Sequence, residues 1–261
     1  MPLRAVLGQQ PAVETLQRAL AAGRVHHAYR FEGPDGVGKE LAAFALAEAL
    51  VCGHDEADAG AACRRRVHAL CEEEPRVPLH PDVIVVQRAL YAKLLGAAEA
   101  SGIGIEQIRR VVLARAGYPP HEGRAVVFIV RDADELTVQA ANALLKTLEE
   151  PPAHTYFVLL TSRPRSLLDT VLSRTLPVRF GPLPDEVIAR ILEAHGAPTA
   201  LAPHAQGSAS AALQLADDQK VRAREQFVER ALEAVAAPSL AGAIGLVDSR
   251  TTDRRALREL L

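Results

Sequence analysis

The chain has 261 residues, 49% hydrophobic and 24% charged, with a formal net charge of -2. That is the composition of a globular protein able to bury a core, and not of a globally basic nucleic-acid binder. Aromatic residues make up 4% and Trp is absent, which excludes a row of stacking platforms for single strands as the main device.

No apolar run approaches the roughly 18 residues of a membrane span. The opening MPLRAVLGQQ lacks the apolar core of a signal peptide, so a cytoplasmic protein is expected. The first periodic stretch, QQPAVETLQRALAAG, carries Val13, Leu16, Ala19 and Leu20 at helical spacing and ends at Gly23. HAYRFEG then reads as a short strand, and KELAAFALAEALV as an apolar helix of strong propensity. Between them lies GPDGVGKE, Gly33 to Glu40. Strand, glycine loop and helix in that order identify a P-loop, G-x-x-x-x-G-K-[ST]. Gly33, Gly36 and Gly38 permit the tight turn, backbone N–H groups face phosphate, and Lys39 adds a point charge. The last position departs from the pattern. Glu40 stands where a hydroxyl should hold magnesium, and it adds negative charge beside a triphosphate.

A loop region follows with all three cysteines, Cys52, Cys63 and Cys71, and an RRR run at 64–66. In a cytosolic chain such clustering points to metal before disulfide. PDVIVVQ then reads as a buried parallel strand and IEQIRRVVLARAG as a helix closed by Gly117. RAVVFIVRDADEL supplies a strand from Ala125 to Val130, TVQAANALLKTLEEPP a helix stopped by Pro151, TYFVLLTS a strand and SLLDTVLSRT a helix. An active nucleotide motor ends the VVFIV strand with Asp, which holds magnesium. Here Arg131 takes that place, with Asp132 one residue later on the opposite side of the strand. A guanidinium cannot ligate magnesium, so hydrolysis at this loop is not expected, and ATP binding is left open.

Strands alternating with helices define an α/β fold, a three-layer parallel-sheet domain over residues 1–180. GPLP, Gly181 to Pro184, marks a boundary, beyond which the pattern is helical.

HHAYRFEGPDGVGK, ANALLKTLEEPP, FVLLTSRP and LLDTVLSRT together resemble the clamp-loader AAA+ family of bacterial DNA polymerase III, and within it the delta-prime subunits. The resemblance spans about residues 5 to 215. It implies an AAA+ P-loop domain, a helical lid at 181–216 and a helical collar, of which 217–261 leaves room for one or two helices. It also implies a place in a hetero-oligomeric ring with motor and wrench subunits, acting on the sliding clamp around primer-template DNA. Delta-prime members commonly have degenerate ATP sites, which the faults at Glu40 and Arg131 match.

In the lid, motor subunits carry a sensor 2 arginine in GS-x-R, whereas this chain reads GSASAAL with Ser210 in that place. Thr161 matches the sensor 1 position. Ser173 and Arg174 match the SRC motif, whose arginine reaches a neighbour's γ-phosphate. A solvated helix-end Arg balancing the macrodipole is the alternative. The family's zinc cysteines are matched at Cys52 and Cys63, while Arg66 and Ala69 stand at the other two positions. A C₃H set of Cys52, Cys63, His68 and Cys71 remains for structural zinc, with His54 as a competing ligand. Arg109 and Arg110 lie on the helix that in clamp loaders faces DNA phosphates, with Arg115 further along. Two other readings stay open: an ATPase using Glu40 and Asp132 as metal ligands, and a stand-alone zinc-bearing DNA-binding module.

Overall fold

A computed structural model describes residues 2–52, 58–72, 77–88, 90 and 102–217. Helix α1 is Gln10–Ala21, with Pro11 in its first turn, where a missing N–H costs nothing. It leads to β1, Ala28–Glu32, and then to α2, Lys39–Cys52. Nearly every residue of α2 is buried, as expected of a helix apolar all round. Helix α3 is Asp58–His68 and β2 is Val83–Val86. A composite helix α4, residues 105–116, is α-helical at Ile105–Gln107, π-wound over Ile108–Leu113 and α-helical again at Ala114–Ala116.

Strand β3, Val126–Val130, is buried on both faces and reads as a continuous apolar run for that reason. Helix α5, Val138–Glu149, is capped by the Thr137 hydroxyl accepting the Ala140 N–H at 3.2 Å. Pro151 and Pro152 follow its end and cannot continue it. Strand β4 is Thr155–Thr161, helix α6 is Asp169–Leu172, and β5 is Leu176–Arg179. The five strands are all parallel, in the order β2-β3-β4-β1-β5. The core sits between sheet and helices, where Phe128 stacks on Phe157 with ring centroids 5.1 Å apart.

Two elements differ from the sequence expectation. The cysteine segment is not simply loop: DAGAACRRRVH forms α3, in which three Ala and three Arg favour helix, and it is anchored by Val67, which is fully buried. Strand β5 had no sequence signal, because LPVR contains a proline and only Val178 of its residues is buried. Proline in a sheet is confined to edges, and β5 is the edge strand beside β1.

The chain divides into two compact units, Met1–Pro182 and Leu183–Leu261. In the second, α7 is Asp185–Ala194 and α8 is Ala209–Leu215, joined through a 3₁₀ turn at Thr199–Ala205. Among its described residues, the buried apolar ones are Leu183, Ile188, Leu192, Ala202, Ala205 and Ala212. The expected collar at 217–261 lies outside the described residues beyond Asp217, as does His54. Among the described residues, no helix is long and apolar enough to cross a membrane.

Candidate functional site

The loop Gly33–Lys39 leaves the C-terminal end of β1 and opens α2, the crevice where open parallel sheets bind ligands. The turn demands glycine at its start: a Cβ at Gly33 would lie 2.1 Å from the Phe180 carbonyl oxygen. Gly36 and Gly38 have φ of 73° and 100°, in the region that favours glycine. Lys39 is folded back on its own loop. Its Nζ donates to the carbonyls of Gly33 at 2.5 Å and Pro34 at 2.6 Å, and to Asp35 Oδ1 at 3.3 Å. An ammonium has three donors, and all three are committed. Burial pulls the Lys39 amine below its ordinary pKa, while the charges of Asp35, Asp132 and Asp134 work against that shift.

Glu40 and Arg131, two separate departures in the sequence, meet in space. Arg131 Nη2 donates to Glu40 Oε1, and Nη1 donates to Gln87 Oε1 at 2.9 Å. The backbone N–H of Arg131 donates to the Val86 carbonyl at 2.8 Å, which fixes the start of the side chain against β2. Asp132, one residue on, takes a left-handed conformation with φ 48°. Thr161, 1% exposed, donates its hydroxyl to Asp134 Oδ1 at 2.7 Å. Arg163 clamps the other oxygen of the same carboxylate, through Nε at 2.8 Å and Nη2 at 2.6 Å. Asp134 and Arg163 were not singled out in the sequence: Arg163 lies within the FVLLTSRP stretch, but nothing there showed that it meets Asp134. Each of the cations Lys39, Arg131 and Arg163 is therefore matched by a carboxylate of the chain itself: Asp35, Glu40 and Asp134.

Arg174 leaves the end of α6, its side chain 30% exposed. It is held by Glu149 at the end of α5, with Nε donating to Glu149 Oε1 at 2.7 Å and Nη2 to the same oxygen. Nη1 donates to the Thr170 carbonyl at 2.9 Å and to the Ser173 hydroxyl at 3.1 Å. Ser210 sits in the first turn of α8, in the second unit, its hydroxyl 3.2 Å from that of the N-cap Ser208.

The expected metal set does not assemble. Cys52 and Cys63 are joined as a disulfide, which ties the end of α2 to α3. His68 Nε2 faces Glu48 Oε2 at 2.8 Å instead of the cysteines, and Cys71 stands outside the group as a free thiol. The third donor near the two sulfurs is His80, with ligand atoms within 4.8 Å of one another, a partner that no cysteine-based spacing pointed to. His80 Nδ1 accepts the Asp82 N–H at 3.2 Å, so in the neutral ring the proton sits on Nε2. Burial pushes this imidazole below its ordinary pKa, with Asp82 opposing. Structural zinc takes four protein ligands, with cysteine bound as thiolate. Two sulfurs bonded to each other and one imidazole do not fit it.

Arg109 and Arg110 lie on the π-wound part of α4, both exposed and both leaning on Glu106, at 3.4 and 3.3 Å. Arg115 does not join them. Its Nη2 donates to Asp82 Oδ1 at 2.7 Å. Asp82 is fully buried and also accepts the N–H groups of His121, Glu122 and Gly123.

A parallel sheet in this order, with a glycine loop turning from β1 into α2, defines a P-loop α/β protein of the AAA+ class. Thermotoga maritima RuvB shares the fold, with a TM-score of 0.50 at 14% identity over 94% of this chain and 69% of that one. Residues 8–184 match the family described as DNA polymerase III, delta subunit, and the chain belongs to this clamp-loader family. It is 36% identical over 196 residues to the DNA polymerase III subunit gamma/tau of Mycobacterium tuberculosis, covering 73% of this chain and 31% of that protein. It is 34% identical over 187 residues to the DNA polymerase III subunit delta' of Bacillus subtilis, covering 70% of this chain and 51% of that one. The chain thus spans between about a third and about half of the length of these relatives.

Proposed function

We propose that this chain is a clamp-loader subunit of a replicative DNA polymerase that does not hydrolyse ATP itself and lends Arg174 to the active site of a neighbouring motor subunit. The observation that carries the reading is the Glu40–Arg131 ion pair at the mouth of a P-loop whose lysine is already satisfied. A hydrolysing site needs magnesium bridging the phosphates, held by a hydroxyl on the loop and an Asp at the end of β3. Here both positions carry residues that neutralise each other. Ser210 stands where motor subunits carry the sensor 2 arginine, and a serine hydroxyl supplies no cation there.

Arg174 is suited to acting in trans because it sits at a partly exposed turn, and a γ-phosphate carries more charge than the Glu149 carboxylate it would leave. A trans arginine neutralises charge that develops in the transition state. In the same reading the protein is cytoplasmic, residues 181–216 act as the lid and 217–261 contribute to a collar with motor and wrench partners. Arg109 and Arg110 would exchange Glu106 for phosphates of primer-template DNA, with the sliding clamp engaged through the other subunits. Structural zinc is left out of the proposal, because the donors brought together do not fit it.

The test is ATP turnover by the purified chain. No magnesium-dependent hydrolysis is expected, with or without Lys39→Ala. Appreciable turnover abolished by Lys39→Ala would overturn the proposal. Co-purification with AAA+ partners is expected; salt-sensitive DNA binding by the isolated chain with no such partner would instead favour a stand-alone DNA-binding module.

A further inference from the structure

Arg30 occupies the middle of β1, between β4 and β5, where strands of a parallel sheet are ordinarily apolar. Its side chain is 8% exposed. A guanidinium is costly to bury unless its donors are satisfied, and the acceptors here are specific. Nε donates to Glu32 Oε1 at 2.6 Å, two residues along the same face of the strand. Nη1 reaches out of the sheet to the turn after α6, donating to Thr175 Oγ1 at 2.5 Å and to the carbonyls of Leu172 at 3.1 Å and Thr175 at 3.5 Å. The Thr175 hydroxyl passes the constraint on by donating to the Val171 carbonyl at 2.8 Å.

The residues bracketed by these contacts are Ser173 and Arg174. The main chain on both sides of Arg174 is thus tied to a buried cation, while Glu149 supports the side chain from α5. We propose that Arg30 is a positioning residue for Arg174: it fixes the Leu172–Thr175 turn against β1, so that the guanidinium is presented to the neighbouring subunit in one place. This rests on the reading of Arg174 as a finger acting in trans. The physical reason is distance. A group that must meet a phosphate oxygen on another chain loses on the order of a hundredfold in rate for a misplacement near 1 Å, and a turn at the end of a four-residue helix has little rigidity of its own.

The experiment uses the ring assembled with its native motor partners and compares Arg30→Met, Thr175→Val and Arg174→Ala, singly and combined. Thr175→Val keeps the shape and removes only the hydroxyl. The expected result is that Arg174→Ala lowers ATP turnover, and that Arg30→Met and Thr175→Val lower kcat at the affected site about tenfold or more while leaving KM for ATP unchanged. In the Arg174→Ala background neither should lower it further. An unchanged rate in Arg174→Ala refutes the finger reading itself. A lowered rate in Arg174→Ala with normal rates in the other two leaves the finger standing and refutes the positioning role. A further loss from Arg30→Met in the Arg174→Ala background makes Arg30 a general stabiliser and also refutes it. Should Arg30→Met fail to fold, Thr175→Val decides by the same criteria. Amide hydrogen exchange at residues 172–175 of the isolated chain reads the mount without reference to the finger: it should speed up in Thr175→Val, and unchanged protection would count against the inference.

Discussion

At the residue scale, Glu40 and Arg131 show how two departures compensate. Glu40 alone adds a carboxylate at the N-terminal end of α2, and Arg131 alone sets a largely buried cation at the end of β3. Together they form one ion pair between residues 91 apart. The sequence displayed both residues and the inability of the Arg131 guanidinium to ligate magnesium. It did not display their contact, which depends on the sheet order that brings the ends of the strands together. Because the Glu40 side chain is 48% exposed, the coupling is screened, and a double-mutant cycle of Glu40→Ala and Arg131→Ala should give about 0.2–1 kcal/mol. Strict additivity would mean that the pair contributes nothing.

Asp82 is the opposite case, a buried carboxylate that no motif announced. Burial alone would raise its pKa, yet the N–H groups of Glu122, His121 and Gly123 outweigh that and hold it below the ordinary value. A depressed folded-state pKa contributes stability that is fully present above the unfolded value and is lost as pH falls through the folded one. Asp82→Ala should therefore cost about 3–5 kcal/mol at neutral pH, because it strands the Arg115 guanidinium. The gap from wild type should narrow as the pH drops below the ordinary carboxylate range. Urea unfolding at neutral and strongly acid pH measures both; a gap that does not depend on pH would contradict this account.

At the element scale, legibility followed burial. The runs around Val83–Val86, Val126–Val130 and Thr155–Thr161 were readable because both faces are buried, so the sequence is apolar without interruption. LPVR escaped notice because an edge strand can be exposed and carry proline. The cysteine segment misled for a chemical reason: spacing reports which thiols are close in sequence, and not which imidazole the chain folds back beside them. His80, which follows α3 in the chain, comes to lie beside Cys52 and Cys63, while His68 turns to Glu48. With both sulfurs paired and His80 the one further donor beside them among the described residues, freshly purified protein is expected to carry less than half an equivalent of zinc by mass spectrometry. A full equivalent, released by a chelator with loss of α3 helicity, would contradict that.

At the scale of the whole molecule, the P-loop keeps its fold, and on the proposed reading it gives up its chemistry. The glycine turn, the five-stranded sheet and α2 are those of a P-loop domain, and in the proposed role that domain is the rigid support on which Arg174 is mounted. The motifs that made the family legible, from GPDGVGK to the SRT turn, are the ones that set this geometry. What the sequence could not show is that Lys39 turns back onto its own loop and that Arg131 meets Glu40, the latter a contact between segments distant in sequence. The most direct test is ATP turnover by the assembled ring with wild-type chain against Arg174→Ala. The account predicts an intact ring in which the site facing this subunit loses on the order of 10³ to 10⁵ in rate. An intact ring with undiminished turnover would contradict it.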